Sequence, residues 1–343
     1  MKPMPLVSLL IPVYNAVAYL GELFPAIQAQ TFKEFEVIIV DDGSTDDTVK
    51  GITPFLSDPR IQLHRSSKNH GLAFSWRMLL ELARGEYWCA VGADDILEPN
   101  FLEQRVTQLA ASSDACLLHG RARLINEHGT VFEDPMPLPP LPPLMEGREA
   151  LSMLLQHNII NQNSTLVRMS ATRSVLGHAM TAWRFSPDWA LWFLHAATER
   201  PLLFDPEPCV RYRIHSQSLT GAVSLSAMRR AEVRLTPLCA LSAAAAYSVS
   251  ARLLWMQWRE ALYALWLRRA FALRKEQYAL EDALQLAAYA FYGTNKGRIT
   301  LAGEMARHGI SIVRHHFLEE SARSRQRFKA CGLAQVDHPL FHQ

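Results

Sequence analysis

The sequence predicts an α/β fold in which a mostly parallel sheet carries helices on both faces. Over the first hundred residues, apolar runs of strand length alternate with stretches whose apolar residues recur at helical spacing, and this order implies right-handed crossover connections. The apolar runs are continuous, as in parallel strands that are covered on both faces. A chain of 343 residues with 49% hydrophobic and 20% charged residues fits such a domain with a further extension.

The predicted elements follow from hydrophobic periodicity and from start and stop signals. Strands are expected at 6–12, 37–40, 61–64, 87–91 and 209–214. Helices are expected at 19–30, from a cap at Ser44 or Thr45 to near Pro54, and at 72–84, 145–156, 169–176 and 188–197. The proline-rich stretch 133–143 is predicted to be a loop, because proline fits neither a helix interior nor an inner strand.

Charge divides the chain into two parts near residue 225. Residues 1–225 hold 18 Lys and Arg against 24 Asp and Glu, whereas residues 226–343 hold 17 against 9. The second part is rich in Ala, Leu and Arg, and successive helical stretches are predicted there. We therefore predict one domain at 1–225 and a basic α-helical region at 226–343.

Cysteine usage and hydropathy predict a cytoplasmic location. Five cysteines are scattered without a Cys-x-x-Cys pair, which argues against a disulfide framework or a cysteine zinc site. The N-terminal region lacks a signal-peptide pattern, and the uncharged stretch 235–251 is too short for a comfortable membrane span. We expect at most a peripheral contact with the inner face of the plasma membrane.

Polar residues follow three of the predicted strands at their carboxyl ends. These residues are Asn15, the pair Asp41–Asp42 and the pair Asp94–Asp95. In parallel α/β sheets, ligands bind beyond the carboxyl ends of the strands. A turn or a helix cap would explain any one of these sites, but three at consecutive strand ends favour a ligand site.

Six segments together resemble a family 2 glycosyltransferase with the GT-A nucleotide-diphospho-sugar transferase fold, over residues 6–222. The segments are IPVYN (11–15), VDDGSTDDT (40–48), NHGLA (69–73), ARGEY (83–87), GADDILEPNFL (92–102) and RYRIHSQSLT (211–220). Each motif is weak alone, and their order and spacing carry the resemblance. It implies transfer of a sugar from a nucleotide-diphosphate donor, with a UDP-sugar favoured, to a hydroxyl of a saccharide or lipid-linked saccharide.

The resemblance implies that the first two strand ends hold the nucleoside. Asp41 or Asp42 would accept hydrogen bonds from the base or ribose, since carboxylates suit N–H and O–H donors. The residues alone leave open which of the two faces the ligand, and the other would only cap a turn or helix. The residues expected to contact the nucleotide sugar are Pro12, Tyr14, Asn15, Asp41, Asp42, Lys68, Gly71, Asp94, Arg213 and His215.

A divalent cation, Mg²⁺ or Mn²⁺, is the expected cofactor because it neutralises the leaving diphosphate. The resemblance implies Asp94 as the first metal ligand, with Asp95 in support and His215 beside the diphosphate or metal. The family commonly has Asp-x-Asp-Asp, and here Gly92 stands at the first position. A ribose contact usually made by that carboxylate is therefore in doubt.

The general base is predicted to be Asp188, which would take the proton of the acceptor hydroxyl. The segment SPDWALWFLHA (186–196) resembles the family's base-bearing helix start, with Pro187 in place of the usual Glu. A helix N-cap is the competing interpretation of Asp188. A single direct displacement with one base implies inversion at the anomeric carbon, as in the synthesis of capsule, O-antigen or exopolysaccharide.

Two alternatives to a glycosyltransferase are considered. A catalytically inactive nucleotide-sugar-binding or scaffold protein is suggested by Gly92 and Pro187. A nucleotidyltransferase usually needs an early glycine-rich and basic triphosphate loop, which IPVYNAVAYLGE lacks. No nucleic-acid partner is expected, because the half that carries the motifs is acidic. The basic region 226–343 would either lie against an anionic membrane surface or form a solvated surface.

Overall fold

The computed structural model describes residues 4–134, 140–155, 157–175 and 187–216, together with Ser218 and Thr236. The helical region predicted at 226–343 lies outside the described residues except for Thr236, and so do residues 135–139 of the predicted proline-rich loop. The division into two domains therefore stays a prediction.

Eleven strands and seven α-helices are found in the described part of the chain. The strands are β1 Val7–Val13, β2 Phe35–Asp41, β3 Ile61–Arg65, β4 Tyr87–Ala90, β5 Ile96–Leu97, β6 Leu117–Gly120, β7 Arg123–Ile125, β8 Leu144–Met145, β9 Leu166–Arg168, β10 Leu202–Asp205 and β11 Val210–Arg213. The helices are α1 Leu20–Gln28, α2 Thr48–Ile52, α3 Leu72–Leu82, α4 Phe101–Ala110, α5 Gly147–Leu154, α6 Met169–Val175 and α7 Pro187–Ala196.

The main sheet has eight strands in the order β3-β2-β1-β4-β9-β6-β10-β8. Strands β1 to β4 pair in parallel, as do β6 and β10, while β9 and β8 run antiparallel to their neighbours. The predicted mostly parallel α/β sheet is thereby confirmed. A second sheet consists of three short strands, β5-β11-β7. Strand β11 lies within the predicted strand 209–214, whereas β5 and β7 were not predicted.

Burial on both faces explains the continuous apolar strands. Every residue of β2 is buried, as is all of β1 except Pro12. On one face, Leu20, Leu23, Phe24 and Ile27 of α1 join the core, as their helical spacing predicts. On the other, Trp76 of α3 meets Trp88 of β4 edge to face, with ring centroids 5.8 Å apart.

The prediction that Ser44 or Thr45 caps a helix is wrong, because α2 begins at Thr48 after Asp47. The Ser44 hydroxyl instead accepts a hydrogen bond from the backbone N–H of Asn15, at 2.9 Å. Asp46 accepts the backbone N–H of Thr48 at 3.0 Å. The polar residues of this segment thus tie the loop after β1 to the loop after β2, instead of starting a helix early.

The amino ends of β1 and β2 hold a second polar group, which we call the amino-edge cluster and define as Ser8, Glu36, Arg84 and Gly85. Glu36 is 2% exposed. Its carboxylate accepts the Ser8 hydroxyl at 2.7 Å, the Arg84 backbone N–H at 2.9 Å and the Arg84 guanidinium at 2.6 and 2.9 Å. Arg84 and Gly85 of the ARGEY segment therefore serve a structural role, because they bond Glu36 and Ser8 at the edge of the sheet opposite to the predicted ligand site.

Candidate functional site

The loops that follow β1 and β2 are joined through Asn15. This residue has a φ of 51°, a left-handed conformation that asparagine tolerates better than most residues. Its side-chain oxygen accepts the backbone N–H of Thr45 at 2.8 Å. Tyr14, immediately before it, is 47% exposed and presents its ring at the carboxyl edge of the sheet.

Asp41 and Asp42 are both buried, but they are held differently. Asp42 accepts the backbone N–H groups of His70 and Gly71 at 2.9 and 2.7 Å, one on each oxygen. Asp41 accepts the backbone N–H of Ser44 at 3.2 Å and lies 3.4 Å from Nε of the exposed Arg65. Asp42 therefore fixes the loop that leads into α3, while the contacts of Asp41 are longer and weaker.

The segment after β4 meets the segment after β11. Oδ2 of Asp94 lies 3.0 Å from Nε2 of His215, although the two residues are 121 positions apart in the chain. The side chain of Asp94 is 25% exposed and that of His215 is 8% exposed. The Tyr19 hydroxyl lies 3.4 Å from Nδ1 of the same imidazole. Two of the predicted site residues are thus in direct contact.

Asp95 lies deeper than Asp94. It is 2% exposed, and its Oδ1 accepts the backbone N–H of Arg213 at 2.7 Å. Burial raises the pKa of Asp95 well above its ordinary value, the neighbouring Asp94 charge raises it further, and Arg213 opposes the rise. Burial and the adjacent Asp94 therefore disfavour the charged form of the Asp95 carboxyl group.

Arg213 is buried and bonded throughout its guanidinium. Nε donates to the Asp94 backbone oxygen at 2.8 Å, one terminal nitrogen donates to the Asn126 and Glu127 oxygens, and the other donates to Glu22 at 3.0 Å. This network holds the Asp94 turn against α1 and the loop after β7. The predicted contact of Arg213 with substrate stays a prediction.

Gly92 fits closely against the two carboxylates that follow it. A Cβ at this position would lie 2.8 Å from Oδ1 of Asp94 and closer still to Oδ2 of Asp95. The Gly92 N–H donates to Oδ1 of Asn163 at 2.8 Å. Any larger residue would have to displace at least one aspartate, which gives a steric reason for glycine where related sequences commonly carry aspartate.

Asp188 lies in the first turn of α7, with Pro187 at its first position, where proline's missing N–H costs no helical bond. Oδ2 of Asp188 accepts Nδ2 of Asn158 at 3.1 Å. The position of Pro187 at the start of α7 explains why a proline is tolerated there. The predicted function of Asp188 as the base stays a prediction.

The residues around Asp94 suit a hard divalent cation as part of a larger ligand set. Within the described ranges, no three His, Cys, Asp or Glu side chains group closely enough to hold a metal ion alone. A carboxylate and an imidazole in contact, beside a second buried carboxylate, are nevertheless donors that Mg²⁺ or Mn²⁺ accepts when phosphate oxygens and water complete the shell.

Several residues of this site were not predicted from the sequence. Tyr19 and Glu22 appear in the sequence only as part of an amphipathic helix. Asn158 and Asn163 lie in the segment NIINQNS (158–164), whose density of asparagine is the signal that could have drawn attention to it. Lys68 is exposed in the loop before α3, and no contact assigns it to the site.

Comparisons with known proteins show similarity in sequence and in fold. Residues 8–161 match the family described as glycosyl transferase family 2. An uncharacterized glycosyltransferase of Haemophilus influenzae is 26% identical over 233 residues, which cover 64% of this chain and 69% of that protein.

Two solved structures share the fold. TarS of S. aureus in complex with UDP-GlcNAc has a TM-score of 0.62 at 14% identity, covering 83% of this chain and 81% of that chain. Mannosyltransferase PcManGT from Pyrobaculum calidifontis, in complex with GDP-Man and Mn²⁺, has a TM-score of 0.53 at 16% identity, covering 98% and 88%.

The main sheet and its likeness to these solved structures show the GT-A fold. The match of residues 8–161 to glycosyl transferase family 2 agrees with the family resemblance that the motifs predict. No helix of the described residues combines the length and apolar character that a bilayer span requires.

Proposed function

We propose that this protein transfers a sugar from a nucleoside-diphosphate donor, with a UDP-sugar favoured, to an acceptor hydroxyl with inversion. The observation that carries the proposal is the contact between Asp94 and His215 at the carboxyl edge of the sheet, at 3.0 Å. The UDP-GlcNAc in the similar TarS structure supports the choice of donor class.

The donor nucleoside would lie across the ends of β1 and β2. Tyr14 is exposed there, with Pro12 and Asn15 beside it, and its ring offers a surface for the base. Of the two aspartates, Asp41 is the better candidate for the contact with base or ribose. Its existing hydrogen bonds are 3.2 Å or longer, so an incoming donor competes with them more easily than with the shorter bonds of Asp42.

Asp94 and His215 are the side chains proposed to hold Mg²⁺ or Mn²⁺, with Asp95 supporting the turn beneath them. Such an ion, when bound, offsets the charge that develops on the departing diphosphate. The Mn²⁺ in the mannosyltransferase with the same fold supports this choice.

Asp188 is proposed to act as the base. It takes the proton of the acceptor hydroxyl while the hydroxyl oxygen bonds to the anomeric carbon. The bond between that carbon and the diphosphate oxygen breaks, and the nucleoside diphosphate leaves with the electron pair. One such displacement inverts the anomeric configuration. We propose a saccharide or lipid-linked saccharide of a cell-surface polysaccharide as the acceptor, and attachment at the inner membrane face through 226–343.

A thermal-shift panel tests the donor and metal assignments. UDP, GDP and dTDP are each added with and without Mn²⁺, and UDP with Mn²⁺ is expected to raise the melting temperature most, because a ligand that binds the folded state stabilises it. Asp94→Asn should abolish the part of the rise in melting temperature that depends on Mn²⁺. Asp114→Asn, an exposed carboxylate at the opposite edge of the sheet, is the matched control. No shift with any nucleotide would refute the proposal.

The main alternative is a protein that binds a nucleotide sugar without turning it over. It predicts a thermal shift but no release of nucleoside diphosphate from a sugar donor. The proposed enzyme predicts both, and it predicts that Asp188→Asn loses turnover while keeping the thermal shift.

A further inference from the structure

The segment 158–164 contacts three parts of the fold that are distant in sequence: the start of α7, the turn after β4 and the end of β6. We call it the asparagine strap. Nδ2 of Asn158 donates to Asp188 at 3.1 Å, and Oδ1 of Asn163 accepts the Gly92 N–H at 2.8 Å. Its last residue, Ser164, donates to the Gly120 carbonyl at 2.7 Å and accepts the Gly120 N–H at 3.1 Å. One short segment therefore links the start of α7 to the ends of β4 and β6.

The strap is itself held firmly. The Asn161 side chain accepts the backbone N–H of Asn163 at 3.0 Å. The Asn161 carbonyl lies 2.8 Å from the Ser164 hydroxyl, whose one proton is shared between this carbonyl and that of Gly120. Asn163 is 4% exposed and Ser164 is fully buried. These bonds close within residues 161–164 and hold Asn163 in place, while Ile159 and Ile160, each 2% exposed, anchor the chain between Asn158 and Asn161 in the core.

The two ends of the strap do different things. Both ends of the Asn158 side-chain amide have a partner of the right kind. Its Oδ1 lies 3.4 Å from the backbone nitrogen of Ile160, a donor, and its Nδ2 donates to Asp188. A donor bonded to one carboxylate oxygen restricts the rotation of the short Asp188 side chain. Asn163 instead holds the backbone of Gly92, two residues before Asp94.

We propose that Asn158 is a positioning residue that orients Asp188 for proton transfer, and that the strap sets the separation between Asp188 and the Asp94 turn. The inference rests on the proposed function, because it acts through the base assigned there. It assigns separate tasks to two asparagines five residues apart: Asn158 serves the proton transfer, and Asn163 serves the binding of donor and metal.

The experiment compares Asn158→Ala and Asn163→Ala in the full-length protein. Nucleoside diphosphate release is measured with UDP-glucose, UDP-galactose, UDP-N-acetylglucosamine and GDP-mannose, and UDP affinity is measured by titration with Mn²⁺ present. We expect Asn158→Ala to lower kcat about 10- to 100-fold, as for loss of a hydrogen bond to a charged group, with KM and UDP affinity unchanged. Asn163→Ala should weaken UDP affinity instead.

Asn100→Ala is the matched control, since Asn100 is exposed and its side chain makes no capping bond to α4. A purely structural strap would give the same pattern in both test variants, with a lowered melting temperature, and this result would overturn the inference. Equal kcat in Asn158→Ala and the parent protein would do so too.

Asp188→Asn, measured in the same assay, separates the proposed base role of Asp188 from the proposed positioning role of Asn158. If Asp188→Asn keeps turnover, the base assignment fails; if it loses turnover while Asn158→Ala does not, only the present inference fails. A crystal structure of Asn158→Ala provides a test that needs no turnover. We expect Asp188 to change rotamer or to lose its order, and an unchanged, well-ordered Asp188 would contradict the positioning role.

Discussion

Glu36 and Asp95 are both buried carboxylates, one at the amino edge and one at the carboxyl edge of the same sheet. Glu36 is met by a hydroxyl, a backbone N–H and a guanidinium. Asp95 receives one backbone N–H from Arg213 and has a second carboxylate, Asp94, as its neighbour. The guanidinium of Arg213 donates to backbone oxygens and to Glu22.

The difference separates a structural cluster from a candidate site. At the amino edge, the buried charge is paired and hydrogen-bonded, which is the condition under which burial is tolerated. At the carboxyl edge, burial and the adjacent charge raise the pKa of Asp95. A cation bound at Asp94 would lower the pKa of Asp95, so we propose that buried carboxylates contribute to stability at the amino edge and support a binding site at the carboxyl edge.

The largest expected effect is on activity, at the carboxyl edge. Asp94→Asn should lower kcat/KM for nucleoside diphosphate release from a UDP-sugar by about 10²- to 10³-fold, because an electrostatic stabiliser of the leaving group is lost. Its melting temperature without nucleotide should stay within a few degrees of the parent value. Chelation of divalent cations in the parent protein should have a comparable effect. Full turnover in chelator would remove the distinction between the two edges.

A smaller effect, and on stability, is expected at the amino edge. Glu36→Gln should lower the free energy of unfolding by about 1–3 kcal/mol, since it weakens the bonds to Arg84 and Ser8. Urea denaturation measures this loss, with Asp114→Asn as the exposed control. The thermal shift caused by UDP and Mn²⁺ should be retained. Loss of nucleotide binding in Glu36→Gln would show that the amino edge is not merely structural.

The smallest effect concerns His119 in β6, a buried group of neither cluster. Burial lowers its pKa to about 3, so between pH 6.5 and that value the unfolded chain binds a proton that the folded chain does not. Stability should therefore fall as pH falls through this window, by about 1 kcal/mol from pH 6 to pH 5. His119→Leu should make the decline shallower in urea titrations at both pH values. An equal slope would show that His119 is hydrated or charged in the folded state.

The sequence predicts the main sheet well where each strand is long and uniformly buried. The run Val37–Val40 lies within β2, and the carboxylates that follow it lie at the predicted edge. Strands of two or three residues, such as β5 and β7, escape prediction because they contain too few residues to show a period.

The site is predicted in part. The motifs indicate Asp94 and His215 as members of one site, and the structure brings them together. Partners contributed by distant segments are not visible in a periodic pattern: Glu36 meets Arg84 across 48 residues, and Asn158 meets Asp188 across 30. The capping prediction at Ser44 fails for a related reason, because its hydroxyl is used by a neighbouring loop.

The close fit of Gly92 bears on any attempt to redesign this enzyme. Restoring the aspartate that related sequences carry there would insert a side chain where the oxygens of Asp94 and Asp95 already lie. Gly92→Asp would therefore shift the side chain of Asp94 or Asp95, the two carboxylates whose oxygens a Cβ at this position meets.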